Sequence, residues 1–71
     1  MKQPSTRQRV LHFISRFWHE YNYPPTIGEI AHGLNFNSTE TARYHLRELR
    51  TAGTIEWQPG HERTIRLKEA A

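Results

Sequence analysis

Apolar side chains recur along this chain with two different periods, and the change of period marks where helices give way to strands. From Val10 the apolar positions Ile14, Phe17 and Tyr21 follow at helical spacing, widened by Leu11, Phe13 and Trp18, with His12, Ser15 and His19 opposite. Pro4 precedes this segment, and Ser5 with Gln8 stands in the capping-box relation, so the first helix is predicted to start at Ser5. Asn22 suits a left-handed stop, and Tyr23 is pushed into extended backbone by Pro24. A second capping box, Thr26 with Glu29, opens a helix whose stripe is Ile27, Ile30, Ala31 and Leu34. That helix is only about two turns long, too short to stand without tertiary packing. Asn35 can take the left-handed turn that ends it, and Phe36 offers an apolar anchor in the connection. Ser38 is predicted to cap a third helix, Glu40 sits in its positive first turn, and Gly53 stops it. Its inward stripe is Ala42, His45, Leu46 and Leu49.

Beyond Gly53 the period falls to two. Thr54-Ile55-Glu56-Trp57 and Thr64-Ile65-Arg66-Leu67 alternate on either side of a turn over residues 59–62. They read as a β-hairpin laying Ile55, Trp57, Ile65 and Leu67 against the helices, with residues 69–71 a frayed tail. Three helices and a C-terminal hairpin give an α+β, mainly α, fold. A short helix, a connection of about four residues and a polar-capped helix make a helix-turn-helix unit, and the hairpin after it makes the unit winged.

Composition narrows the function. Seventy-one residues, 1–71, allow one domain, and a chain of this size buries only about 60% of the surface it exposes when unfolded. The absence of cysteine excludes disulfides and thiolate metal sites and fits a reducing cytoplasm. No apolar run approaches the roughly 18 residues of a membrane span, and residues 1–10 are too polar for a signal peptide. The expectation is a soluble, cytoplasmic, nucleoid-associated protein of bacterial, phage or plasmid origin. Net charge is +3, and eight of the ten basic residues are Arg, whose planar fork of donors suits phosphates and guanine edges. This charge alone says little, although it opposes an acidic DNA mimic.

The order of elements says more. The second helix of a helix-turn-helix can enter the DNA major groove, which requires one apolar face for the core and one polar face for bases. In the third helix Glu40, Arg43, Tyr44 and Arg47 lie opposite the apolar stripe, and Arg43, Arg47 and Arg50 share a flank at i, i+4 and i+7. On an isolated helix such a flank is ordinarily a solvated face. Here it falls where a recognition helix belongs, which points to double-stranded DNA as the partner.

At the level of motifs the chain resembles the N-terminal DNA-binding domain of the LexA repressor family. The likeness is carried by Thr6-Arg7-Gln8, Tyr23-Pro24-Pro25-Thr26, Glu29-Ile30-Ala31 and Leu34-Asn35-Phe36, then by Ser38, His45-Leu46, Leu49, Gly53, Ile55-Glu56 and Ile65-Arg66-Leu67. It implies base reading by Ser38, Glu40, Thr41, Arg43 and Tyr44. The family typically carries acidic residues where this chain has Arg43 and Tyr44. Exchanging carboxylates that accept from cytosine for a guanidinium that donates to guanine changes the expected target. Asn35 stands where the family usually has glycine, a small change because Asn tolerates the left-handed region. The family also carries a C-terminal dimerisation domain with a Ser–Lys self-cleavage dyad. This sequence ends at Ala71, and Ser5, Ser15 and Ser38 read as caps or surface, so self-cleavage is not expected of it.

The expected mechanism places Ser38 and neighbouring amides at a phosphate, Arg43 bidentate on guanine, and Tyr44 on a base edge or thymine methyl. Arg47 and Arg50 reach phosphates, while Gln58, His61 and Arg63 at the hairpin tip touch backbone or minor groove. Two copies would read a palindrome as a homodimer, with half-sites about one helical turn apart or a multiple of it. Repression would follow from promoter occlusion.

Other chemistry is weaker. His12 and His19 are too far apart for one tetrahedral metal site, and His45 falls on the inner stripe. Trp18 and Trp57 both read as core. Neither a nucleophile–base pair nor a phosphate-cradling glycine loop marks an enzyme, and neither cofactor nor small-molecule substrate is implied. The rival reading is a winged helix reused to dock a protein, marked by an exposed apolar patch on the third helix. Leu11, Phe13 and Trp18 could instead serve a small dimer interface.

Overall fold

The computed structural model describes residues 5–68, so the expectations for Pro4 and for residues 69–71 fall outside the described residues. Within them the order is α1 (Thr6–Tyr21), α2 (Ile27–Gly33), α3 (Thr39–Thr51), β1 (Ile55–Glu56) and β2 (Arg66–Leu67). The strands pair antiparallel, Ile55 with Leu67 and Glu56 with Arg66. Three helices and a C-terminal hairpin form a winged helix-turn-helix.

Local chemistry sets most of the boundaries. At the start of α1 the Gln8 amide donates to Ser5 Oγ at 3.1 Å, and the Ser5 amide donates to Gln8 Oε1 at 3.0 Å. At the start of α2 the Glu29 amide donates to Thr26 Oγ1 at 3.1 Å, and the Thr26 amide donates to Glu29 Oε1 at 2.8 Å. Both capping boxes satisfy amides that a helix leaves without intrahelical partners. Asn22 ends α1 in the left-handed region at φ 61°, and Asn35 turns the chain after α2 at φ 60°. The Phe36 amide then donates to Ala31 O at 2.8 Å and closes the helix-turn-helix connection.

Ser38 departs from expectation. It holds the N-cap position of α3, but its hydroxyl makes no capping bond. Its φ of −154° is far more extended than the −66° of Ser5 and −84° of Thr26, which both cap. The tight connection from α2 imposes that backbone and carries the side chain away from the first-turn amides.

The core is shared by the three helices and the hairpin segment: Val10 and Ile14 of α1, Ile30 and Ala31 of α2, Ala42, Leu46 and Leu49 of α3, and Ile55, Trp57 and Ile65 from residues 55–65. Seven expected core residues lie at its edge or outside it, Phe17, Ile27 and Leu34 among them as half-buried side chains. Trp18 is 42% exposed, Tyr21 48% and Leu67 39%, and His45 is half-buried. The apolar face of α1 is longer than the short helix and the hairpin packed against it, so its last two turns find only partial cover. There the Tyr21 ring packs at a tilt against Phe17, 4.5 Å between centroids, and the Arg66 guanidinium lies 5.6 Å from the centre of the Trp18 ring.

The ladder is shorter than the four-residue alternation predicted for each strand. Past Glu56 the Gln58 amide donates to Thr64 Oγ1 at 3.0 Å, so a side chain takes over the work of the next backbone rung. The Thr64 hydroxyl lies 3.2 Å from Gln58 O and 3.1 Å from His61 O, its two possible acceptors. The loop between the strands is thereby folded on itself as the wing.

Candidate nucleic-acid interface

Burial of Ala42, Leu46 and Leu49 fixes the rotation of α3 and therefore what it presents to solvent. Ser38, Glu40, Thr41, Tyr44, Arg47 and Arg50 are exposed, and Arg43 is half-exposed. These seven sequence-predicted positions accordingly share the helix and its outward side. Tyr44 is the most exposed large apolar side chain of the described residues, at 57%. Its ring meets His45 edge-on at 5.2 Å, and His45 in turn lies 5.7 Å from Phe36. That chain of rings ties Tyr44 to the turn preceding α3. Tyr44 is flanked by Arg43, Arg47 and Glu40 rather than by further apolar residues, so α3 presents no contiguous apolar patch.

Arg43 is engaged within its own helix: Nη1 donates to Glu40 Oε1 at 2.8 Å. Both side chains are substantially exposed, and such pairs contribute about 0.2–1 kcal/mol. A bidentate base contact is worth about 1–3 kcal/mol of discrimination, so the intrahelical pair is a weak competitor for the guanidinium.

The wing residues divide. Gln58 and His61 are exposed near the tip. Arg63 has a neighbourhood that the sequence did not suggest. Its backbone is left-handed at φ 57°, and its guanidinium points back to α2. Nη1 donates to Glu29 Oε1 at 3.0 Å and to Pro24 O at 2.9 Å, and Nη2 donates to Glu29 Oε2 at 3.3 Å. The group also sits 4.5 Å from the centre of the Tyr23 ring, a cation–π distance. Partial burial acts to raise the pKa of Glu29, but the Thr26 amide and the Arg63 charge outweigh it and hold the carboxyl below its ordinary value. A recess lined by Thr39 and Arg43 of α3, Ile27 of α2 with its cap residue Thr26, and His61 and Arg63 of the wing puts all three elements on one side of the molecule.

Two contributors escaped the sequence reading. Arg9, on the outer side of α1, donates from Nη2 to Leu34 O at 3.3 Å and brings a basic group to the helix-turn-helix connection. Glu29 was legible as a cap, but its second role against Arg63 spans 34 residues and has no local signature. Among the described residues no group of three His, Asp or Glu is placed to hold a metal, and no helix is long and apolar enough to cross a membrane.

Comparison with known proteins agrees with this geometry. The family model described as the LexA DNA binding domain matches residues 1–64. A LexA repressor of Marinobacter nauticus is 47% identical over 70 residues, covering 99% of this chain and 35% of the relative. LexA repressors of Cellvibrio japonicus (42% over 66 residues) and Roseiflexus (43% over 67 residues) each cover 93% of this chain, and 33% and 31% of their own lengths. The chain thus spans about a third of the length of the curated relatives it matches. From the fold, the family match and these identities, the chain belongs to the LexA DNA-binding domain family.

Proposed function

We propose that this domain binds double-stranded DNA sequence-specifically by placing α3 in the major groove, and that it represses transcription by occluding promoters. The observation that carries the reading is the outward face of α3. In a member of a DNA-binding family, the second helix of the helix-turn-helix presents Arg43, Tyr44, Arg47 and Arg50 together. Arg43 is assigned to a guanine edge, Tyr44 to a neighbouring base edge or thymine methyl, and Arg47 and Arg50 to phosphates. Ser38 and the first-turn amides of α3 face a phosphate. The hydroxyl of Ser38, spent on no capping bond, is available to donate there. Glu40 and Thr41 flank the bases, and Gln58 and His61 lie along the adjacent backbone.

One α3 reads only a few base pairs, so useful specificity calls for two copies on an inverted repeat, with half-sites about one helical turn apart or a multiple of it. The test is selection of bound duplexes from a randomised pool, sequenced at two salt concentrations. An enriched motif supports base reading, and inverted half-sites support assembly of two copies on DNA. Retention without any sequence preference would refute sequence-specific reading, and a single half-site would refute the paired assembly.

A further inference from the structure

Glu29 serves two structures at once. Its Oε1 accepts from the Thr26 amide at 2.8 Å to complete the cap of α2, and from Arg63 Nη1 at 3.0 Å, while Oε2 accepts from Arg63 Nη2 at 3.3 Å. Arg63 adds a bond to Pro24 O and lies over the Tyr23 ring. Three groups in residues 23–29, the Tyr23 ring, the Pro24 carbonyl and the Glu29 carboxylate, therefore converge on one side chain of the wing. Arg63 does this from a left-handed backbone, a conformation that a side-chain-bearing residue keeps only where its surroundings hold it. Just beyond it, Thr64 Oγ1 receives the Gln58 amide, so the fixed residue and the fold of the wing are continuous.

We propose that Glu29, Arg63 and Tyr23 form a clamp that sets the wing against the recognition helix, and that Arg63 governs DNA affinity as a positioning residue without touching DNA. The proposal rests on the DNA-binding reading above, and it replaces a wing-tip contact by Arg63 with a structural role. It makes a prediction opposite in sign to simple electrostatics. DNA is a polyanion, so removing a carboxylate by charge alone would strengthen binding. Loss of the clamp instead weakens it, because Gln58 and His61 are no longer held in place.

The experiment uses Glu29→Gln, Arg63→Gln, Arg63→Lys and the Glu29→Gln/Arg63→Gln double variant. Gln at position 29 keeps the capping box, since Gln serves as well as Glu there. Titrated against a duplex from the selection, Glu29→Gln should bind about three- to tenfold more weakly as the wing contacts are lost. The double variant should be no worse than either single one, the mark of residues acting as a unit. Arg63→Lys should behave as Arg63→Gln, because an ammonium cannot reproduce the two-pronged pairing. Hydrogen exchange in the free protein supplies a readout independent of DNA: the amides of Gln58 and His61 should exchange faster in all four variants. If the wild type retained no duplex, the functional reading would fall, and exchange would still decide the clamp. Unchanged exchange at Gln58 and His61, tighter binding by Glu29→Gln, or wild-type affinity in Arg63→Lys would each overturn it.

Discussion

Gly33 closes α2 beneath the ring of Phe13, and replacing it with Ala tests how closely α1 is seated on the helix-turn-helix. A Cβ built on Gly33 would overlap the far edge of the Phe13 ring, well inside van der Waals separation. Gly33 has no left-handed φ to protect, so backbone strain does not enter. Two effects compete. Ala is favoured over Gly within a helix by about 0.5–1 kcal/mol, and at the last helical residue the lower figure applies. Against this, the half-buried Phe13 ring must swing out or α1 must lift, and such overpacking costs about 1–3 kcal/mol. The clash prevails, and Gly33→Ala should destabilise by roughly 1 kcal/mol. In a domain of this size that lowers the thermal midpoint by roughly 4–8 °C, read by circular dichroism. The decisive comparison is the same substitution beside Phe13→Ala. With the ring removed the clash disappears, and Gly33→Ala should then stabilise by about 0.5 kcal/mol relative to Phe13→Ala alone. An equal loss in both backgrounds, or a gain in the wild-type background, would refute the packing argument.

The remaining predictions concern core, charge and recognition. Leu46→Ala empties the fully buried centre of α3 and should cost about 2–5 kcal/mol in urea unfolding, whereas Trp18→Ala, 42% exposed, should cost clearly less. Glu29 has a folded pKa below its unfolded one, so its stabilisation is complete above the ordinary carboxylate range and lost as pH falls through the folded value. Midpoints of wild type and Glu29→Gln should accordingly differ at neutral pH and converge in acid, and a constant gap would count against the Arg63 pairing. Arg43→Ala should cost about 1–3 kcal/mol on the selected duplex and relax preference at one base pair. An equal loss on every sequence would make Arg43 a phosphate contact instead.

Features written within a few residues of one another were readable in advance. The boxes Ser5–Gln8 and Thr26–Glu29 and the left-handed stops at Asn22, Asn35 and Gly53 depend on side chains three or four positions apart, or on a single φ. Periodicity gave the inward faces of all three helices and so the outward set on α3. It could not say how far the opposing surface extends, which is why Trp18, Tyr21 and Leu67 were placed in the core and stand at its margin. Residue type promised a cap at Ser38, but the turn imposes its φ, and the cap bond does not form. Arg63 looked like a free wing-tip cation because nothing local to it announces a carboxylate 34 residues earlier. Motif order carried the family resemblance over nearly the whole chain, and the family model bears it out over residues 1–64.

The central claim is that α3 and the wing are the surface that meets DNA. An NMR titration of the isotope-labelled domain with the selected duplex tests it most directly, because every backbone amide reports separately. The expected result is that shifts concentrate on residues 38–50 and at Gln58 and His61, while the outer face of α1 around Arg16 and Glu20 stays still. Shifts confined to the aromatic face of Phe17, Tyr21 and Tyr23, with α3 silent, would contradict the account.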